Sequence, residues 1–84
     1  MKKTKYKVLG YDSKYHDFTK NFGEHDNLNM AIRIAEYHTN AIVKEFVINE
    51  NGGVCDLGVI HGSFDDDKSE AFFIFRRKFP EFFL

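Results

Sequence analysis

Ile42-Val-Lys-Glu-Phe-Val-Ile48, then Asn49-Glu-Asn-Gly-Gly53, then Val54-Cys-Asp-Leu-Gly-Val-Ile-His61 is the stretch that decides the fold. Residues 42–48 are rich in β-branched side chains, which suit a pleated, half-buried surface. Asn51-Gly52 is a strong hairpin signal, because both residues tolerate positive φ. Residues 54–61 then read as the returning strand, with Cys55, Leu57, Val59 and His61 alternating onto one face.

The segment before this hairpin has a different period. On a wheel of 100° per residue, Leu28, Ala31, Ile32, Ala35 and Thr39 fall within about 60° of the Leu28 direction. Asn29, Arg33, Glu36 and Asn40 take the opposite flank, while Ile34 and His38 border the apolar arc. The pattern predicts an amphipathic helix over 27–40, capped by Asp26 or Asn27 through a side-chain oxygen that accepts an amide hydrogen bond. Leu28, Ile32 and Ala35 are expected against a sheet containing Phe46, Ile48 and Leu57 or their neighbours.

Further towards the N-terminus, residues 5–11 alternate, with Tyr6, Val8 and Gly10 on one side. Asp12-Ser13-Lys14 supplies turn chemistry. Residues 16–22 alternate again, with His16, Phe18, Lys20 and Phe22 on one side, and Gly23 is expected to end that strand. The order strand, strand, helix, strand, strand predicts an α+β fold (ββαββ): an antiparallel sheet of two hairpins with one helix packed on a face.

The last segment supports two readings. Asp67 and Glu70 have capping-box spacing, Arg76-Arg77-Lys78 suits a helix C-terminus, and Pro80 follows as a stop. Ala71-Phe-Phe-Ile-Phe75 also has strand composition. A short helix over about 68–78 is the expectation, with an extra strand as the alternative.

The 84 residues form a single small domain, too short for a second core. Hydrophobic residues are 43% and charged residues 30%, too apolar a mix for a disordered chain. The formal net charge is −1, unevenly spread: +4 over residues 1–22, −7 over 23–70 and +2 over 71–84. No run approaches the ~18 apolar residues of a membrane span. The basic start has no apolar stretch behind it, so no secretion signal is expected. With one cysteine an internal disulfide is impossible, which points to the cytoplasm.

No motif proposes an enzyme. His16, His25, His38 and His61 lack the i, i+4 pairing of a helical zinc site, so no metal or cofactor is expected. Cys55 sits on a strand with no predicted activating base or helix N-terminus beside it. Asp65-Asp66-Asp67 lacks the ligand spacing and central glycine of a calcium loop, and suits a helix start.

Phenylalanine is the compositional outlier: six of the ten lie in residues 71–84. Phe72, Phe73 and Phe75 are expected in the core. Phe79, Phe82, Phe83 and Leu84 then make an apolar end that must dock, onto the chain's own sheet or into a second copy as a homodimer. Aromatic and arginine side chains are enriched at interface hot spots. Phe79, Phe82, Phe83, Arg76 and Arg77 are therefore the candidate partner-binding residues, and another protein is the expected partner. The alternative partner is nucleic acid, with Lys3, Lys5 and Lys7 on phosphates and Tyr6 stacking on a base. The net charge argues against it, since nucleic-acid domains are as a rule basic overall. Size, Lys/Asn/Ile/Phe-heavy usage and the lack of catalytic motifs resemble small phage or mobile-element inhibitors such as anti-CRISPR proteins. That resemblance of type implies a non-enzymatic inhibitor or regulator of a larger protein.

Overall fold

A computed structural model describes residues 2–83. Leu84, the last member of the expected apolar end, lies outside the described residues. The elements run β1 (Lys3–Asp12), β2 (Asp17–His25), α1 (Leu28–His38), β3 (Ala41–Ile48), β4 (Val54–Ser63), α2 (Glu70–Lys78) and a 3-10 turn, Pro80–Phe83. The four strands form one antiparallel sheet in the order β2-β1-β3-β4. The expected ββαββ arrangement is present, and the last segment is a helix.

Both hairpins close through backbone hydrogen bonds, Asn49 N–H to Gly53 O and Tyr15 N–H to Asp12 O, that side chains reinforce. Asn49 Oδ1 accepts from the amides of Asn51 (3.0 Å) and Gly53 (2.8 Å), and Gly52 takes the left-handed conformation at φ +83°. Asp12 Oδ1 accepts from the Lys14 amide at 3.0 Å.

Helix α1 begins where Asn27 Oδ1 accepts from the Met30 amide at 3.2 Å. It ends at Thr39 and Asn40, both at positive φ. Positive φ is uncommon for a β-branched residue. Here the Thr39 hydroxyl and the Asn40 amide both donate to Asp65 Oδ2, at 3.1 and 3.3 Å.

Although the length predicts no second core, the one sheet carries two, one on each face. The first is Val8, Ala31, Ala35, Ala41 and Val43, with Tyr6, Phe22, Leu28 and Ile34 packed around it. The small side chains of Ala31 and Ala35 let α1 approach the strands closely, and both are fully buried. Ile32, expected at the centre of this contact, is only half-buried. The expected floor of Phe46, Ile48 and Leu57 is likewise replaced. Phe46 and Ile48 pair in register with Lys5 and Lys3, so they share the opposite face.

The second core is aromatic: Phe18, Ile42 and Phe75, surrounded by Leu9, Tyr11, Val59, Phe64, Ile74 and Phe79. It lies under α2, so the sheet carries a helix on each face. Ser69 caps α2, its Oγ accepting from the Phe72 amide at 3.2 Å. The expected Asp67–Glu70 box gives way to Ser69, because Asp66 Oδ1 instead accepts from the Lys68 amide and turns the chain ahead of the helix.

Bulges on the two edge strands explain where strict alternation fails. On β2 the register shifts between Lys20↔Gly10 and Phe18↔Tyr11, and again around Gly23. An extra residue flips every side chain beyond it to the other face. Phe18 thus enters the aromatic core while Phe22 enters the core under α1. Gly23, expected to end the strand, sits inside a bulge at φ +101°. On β4, Leu57 and Ile60 are the extra residues, so Cys55 and His61 face one way and Val59 the other.

Candidate interaction surfaces

Helix α2 covers only one end of its sheet face. The rest is an open groove of about 400 Å³ whose lining includes Leu9, Phe46, Ile48 and Val54, with Lys7, Glu24, Lys44 and Asp56 as its charged groups. The groove follows from strand parity: Lys3, Lys5, Lys7 and Leu9 on β1 share this face with Phe46 and Ile48 on β3. The three lysines of the nucleic-acid alternative therefore stand in one column. Tyr6 has the opposite parity and packs against the core under α1, so it is not beside them.

Charge on this face is largely matched. Lys5 pairs with Asp26 at 3.2 Å and Lys44 with Asp56 at 3.0 Å. The hydrogen-bonded Lys44 ammonium, with help from the Gly58 amide, holds the Asp56 carboxyl below its ordinary pKa. Lys3 and Lys7 enter no ion pair among the described residues.

The second surface is the aromatic end. Phe82 and Phe83 are 41% and 47% exposed, and their ring centroids lie 5.1 and 5.5 Å from that of the buried Phe75. Both rings thus pack on α2 rather than on the sheet, and about half of each still faces solvent. The Arg76 guanidinium stands 5.7 Å from the Phe83 centroid, a cation–π distance. Arg76, Phe82 and Phe83 thus form one patch. Phe79 does not join it: half-buried, it packs on Phe18 and Phe75. Arg77 points elsewhere, lining a small depression with His16, Ile74 and Lys78.

Phe73, expected in the core, is instead 61% exposed. The signal was available, since two residues along a helix turn a side chain about 200° away from the buried Phe75.

Two polar ties pin α2. At its start, His16 Nδ1 donates to Glu70 Oε1 at 2.7 Å. The Tyr11 hydroxyl and then His16 lower the Glu70 pKa. Partial loss of solvent, and then the Glu70 carboxylate, push the Tyr11 hydroxyl up to about 12. At the other end, Lys78 pairs with Asp17 at 3.0 Å and holds that carboxyl below its ordinary value.

Among the described residues, no three His, Cys, Asp or Glu side chains cluster as a metal site, and no helix is long and apolar enough to cross a membrane. Comparison of the chain with protein-family models, with curated proteins and with solved structures gives no match.

Proposed function

We propose that this chain is a small, non-enzymatic, cytoplasmic protein-binding domain. It inhibits or regulates a larger protein by occupying its surface, in the manner of phage or mobile-element inhibitors such as anti-CRISPR proteins. The observation that carries the reading is the patch of Phe82, Phe83 and Arg76. Rings held by a rigid aromatic core lose little side-chain entropy on binding, and a desolvated arginine over a ring is a strong contact. Phe73 extends the aromatic surface of the same helix. The same patch suits a second copy, so a homodimer belongs to this reading.

The test is affinity capture from lysate with the full chain as bait, followed by identification of the partner and titration with the purified protein. Phe82→Asp with Phe83→Asp abolishes capture if the patch is the contact. Capture by the double variant at the unmodified strength removes the patch from the function.

One observation favours a second reading, nucleic-acid binding: Lys3, Lys5 and Lys7 align on one face of β1. Phosphate contacts give affinity that falls steeply with salt. Lys5→Glu with Lys7→Glu then weakens binding to every sequence and flattens the salt slope. Tight binding of random duplex DNA at physiological salt makes this the function and displaces the first reading.

A further inference from the structure

The open groove and the aromatic end stand side by side on one face of the sheet. Lys44, which lines the groove, brings its ammonium to 6.0 Å from the centroid of the Phe79 ring packed on the aromatic core. Helix α2 with its 3-10 turn is thus a step on that face, and the groove is the floor beside it. The step carries rings left in water: Phe73, Phe82 and Phe83 are 61%, 41% and 47% exposed. The floor carries apolar groups that nothing covers, Leu9, Phe46, Ile48 and Val54.

Charge selects a neutral occupant for the groove. Its lining balances Lys7 and Lys44 against Glu24 and Asp56. Lys44 and Asp56 pair with each other, which leaves Lys7 and Glu24, opposite one another in the β1–β2 register, as one cation and one anion outside any ion pair. The aromatic end has the same make-up: Arg76 and Glu81 enter no ion pair among the described residues. Each surface is apolar and carries one charge of each sign that the other can meet.

We propose that the two surfaces are halves of one contact. The aromatic end of one copy seats in the groove of a second copy, whose own end seats in the first, in a two-fold dimer. The proposal rests on the reading of the aromatic end as a contact surface, and it names the receptor of that end. With both halves on one face, a single two-fold rotation satisfies both; halves that do not close on each other would give open filaments. Area decides against rings meeting rings alone. The three rings leave roughly 300 Å² in water, at about 200 Å² per phenylalanine, whereas a stable interface takes about 800 Å² from each partner. Seating the end in the groove draws on both surfaces of each copy.

The test mixes isotopically labelled with unlabelled full chain and reads the nuclear Overhauser effects that cross between copies. Sedimentation from micromolar to millimolar concentration gives the mass. A dimer is expected, with cross-copy contacts from phenylalanine rings to the methyl groups of Leu9, Ile48 and Val54. Val54 is 67% exposed, so Val54→Asp leaves both cores intact, which its amide spectrum checks. It is expected to weaken the dimer roughly tenfold or more, and Phe73→Asp on the other surface to do the same. A monomer at millimolar concentration, cross-copy contacts between rings only, or a dimer untouched by Val54→Asp would each overturn the proposal. The proposed function fails separately. A monomer whose partner capture disappears with Phe82→Asp and Phe83→Asp overturns the dimer and leaves that function standing. A dimer with the expected contacts, beside capture of another protein that the double variant leaves unchanged, supports the dimer and removes the patch from that function.

Discussion

The ring of Phe22 lies flat against the imidazole of His38, with centroids 3.9 Å apart and planes 7° from parallel. This contact joins the β2 edge to the last turn of α1. The same Phe22 ring also fills the space in which a Cβ on Gly10 would stand. Glycine at position 10 is thus what lets the ring reach both the sheet and the helix. Gly10→Ala is expected to displace the ring and cost about 1–3 kcal/mol, the usual penalty for overpacking. For a domain this size, that lowers the melting temperature by about 4–24 °C, at about 4–8 °C per kcal/mol. Unchanged melting of Gly10→Ala would show that the ring can move aside freely.

The two cores respond differently to truncation. Phe75 is buried at the centre of the aromatic cluster, its ring within 6.5 Å of Phe18, Phe64, Phe72, Phe79, Phe82 and Phe83, centroid to centroid. Phe75→Ala is expected to cost about 3–5 kcal/mol. Ile32 is half-buried, so Ile32→Ala falls below the roughly 2–5 kcal/mol of a fully buried isoleucine. Urea denaturation of both variants gives the ordering, and a larger loss for Ile32→Ala would mean that α1 is rotated on the sheet.

The element order was legible because its signals are local. Asn51-Gly52 sets one hairpin, the 3.6-residue period sets α1, and Pro80 follows the end of α2. The faces of β2 and β4 were not legible. Alternation assumes a ladder without insertions, and each edge strand carries two register shifts. That single effect misassigned Phe18 against Phe22 and Val59 against Cys55. That β3 feeds two cores, with Val43 under α1 and Ile42 under α2, follows from plain alternation along its unshifted ladder with β1. The groove was invisible for a related reason. It exists only because α2 crosses to the face opposite α1 and stops short of Phe46 and Ile48, and nothing local in the sequence states which face a terminal helix takes. At the aromatic end, composition picked out Phe82, Phe83 and Arg76, but not the burial of Phe79, which depends on Phe18 lying beyond a bulge.

Acid should loosen α2 and the β3–β4 edge first. Asp17, Asp56 and Glu70 all have folded pKa values below their ordinary ones. A depressed carboxyl contributes stability that is complete above the unfolded value and is lost as pH falls through the folded value. The unfolded values are 3.8 for the two aspartates and 4.5 for Glu70. The loss is therefore expected from about pH 4.5 downward. Exposed pairs are weak, so the effect is a shallow slope. Lys78→Met, which removes the partner of Asp17, should flatten it. A melting temperature that rises on acidification below pH 4 would contradict the assignment.

The aromatic end separates three outcomes in one experiment. Phe82 and Phe83 each rest on Phe75, and each leaves about half its surface in water. Burying the rest in a second copy would remove apolar area at about 25 cal/mol per Å². Phe82→Asp with Phe83→Asp places two carboxylates on that surface. If the unmodified chain is a homodimer through this patch, light scattering shows a dimer that the double variant converts to a folded monomer. If the patch instead serves a different protein, the unmodified chain is monomeric, and the variant melts lower because Phe75 loses its cover while partner capture disappears. An unchanged mass, melting temperature and capture would mean that these rings neither hold the core nor touch a partner. The proposed function would then lose the surface it is built on.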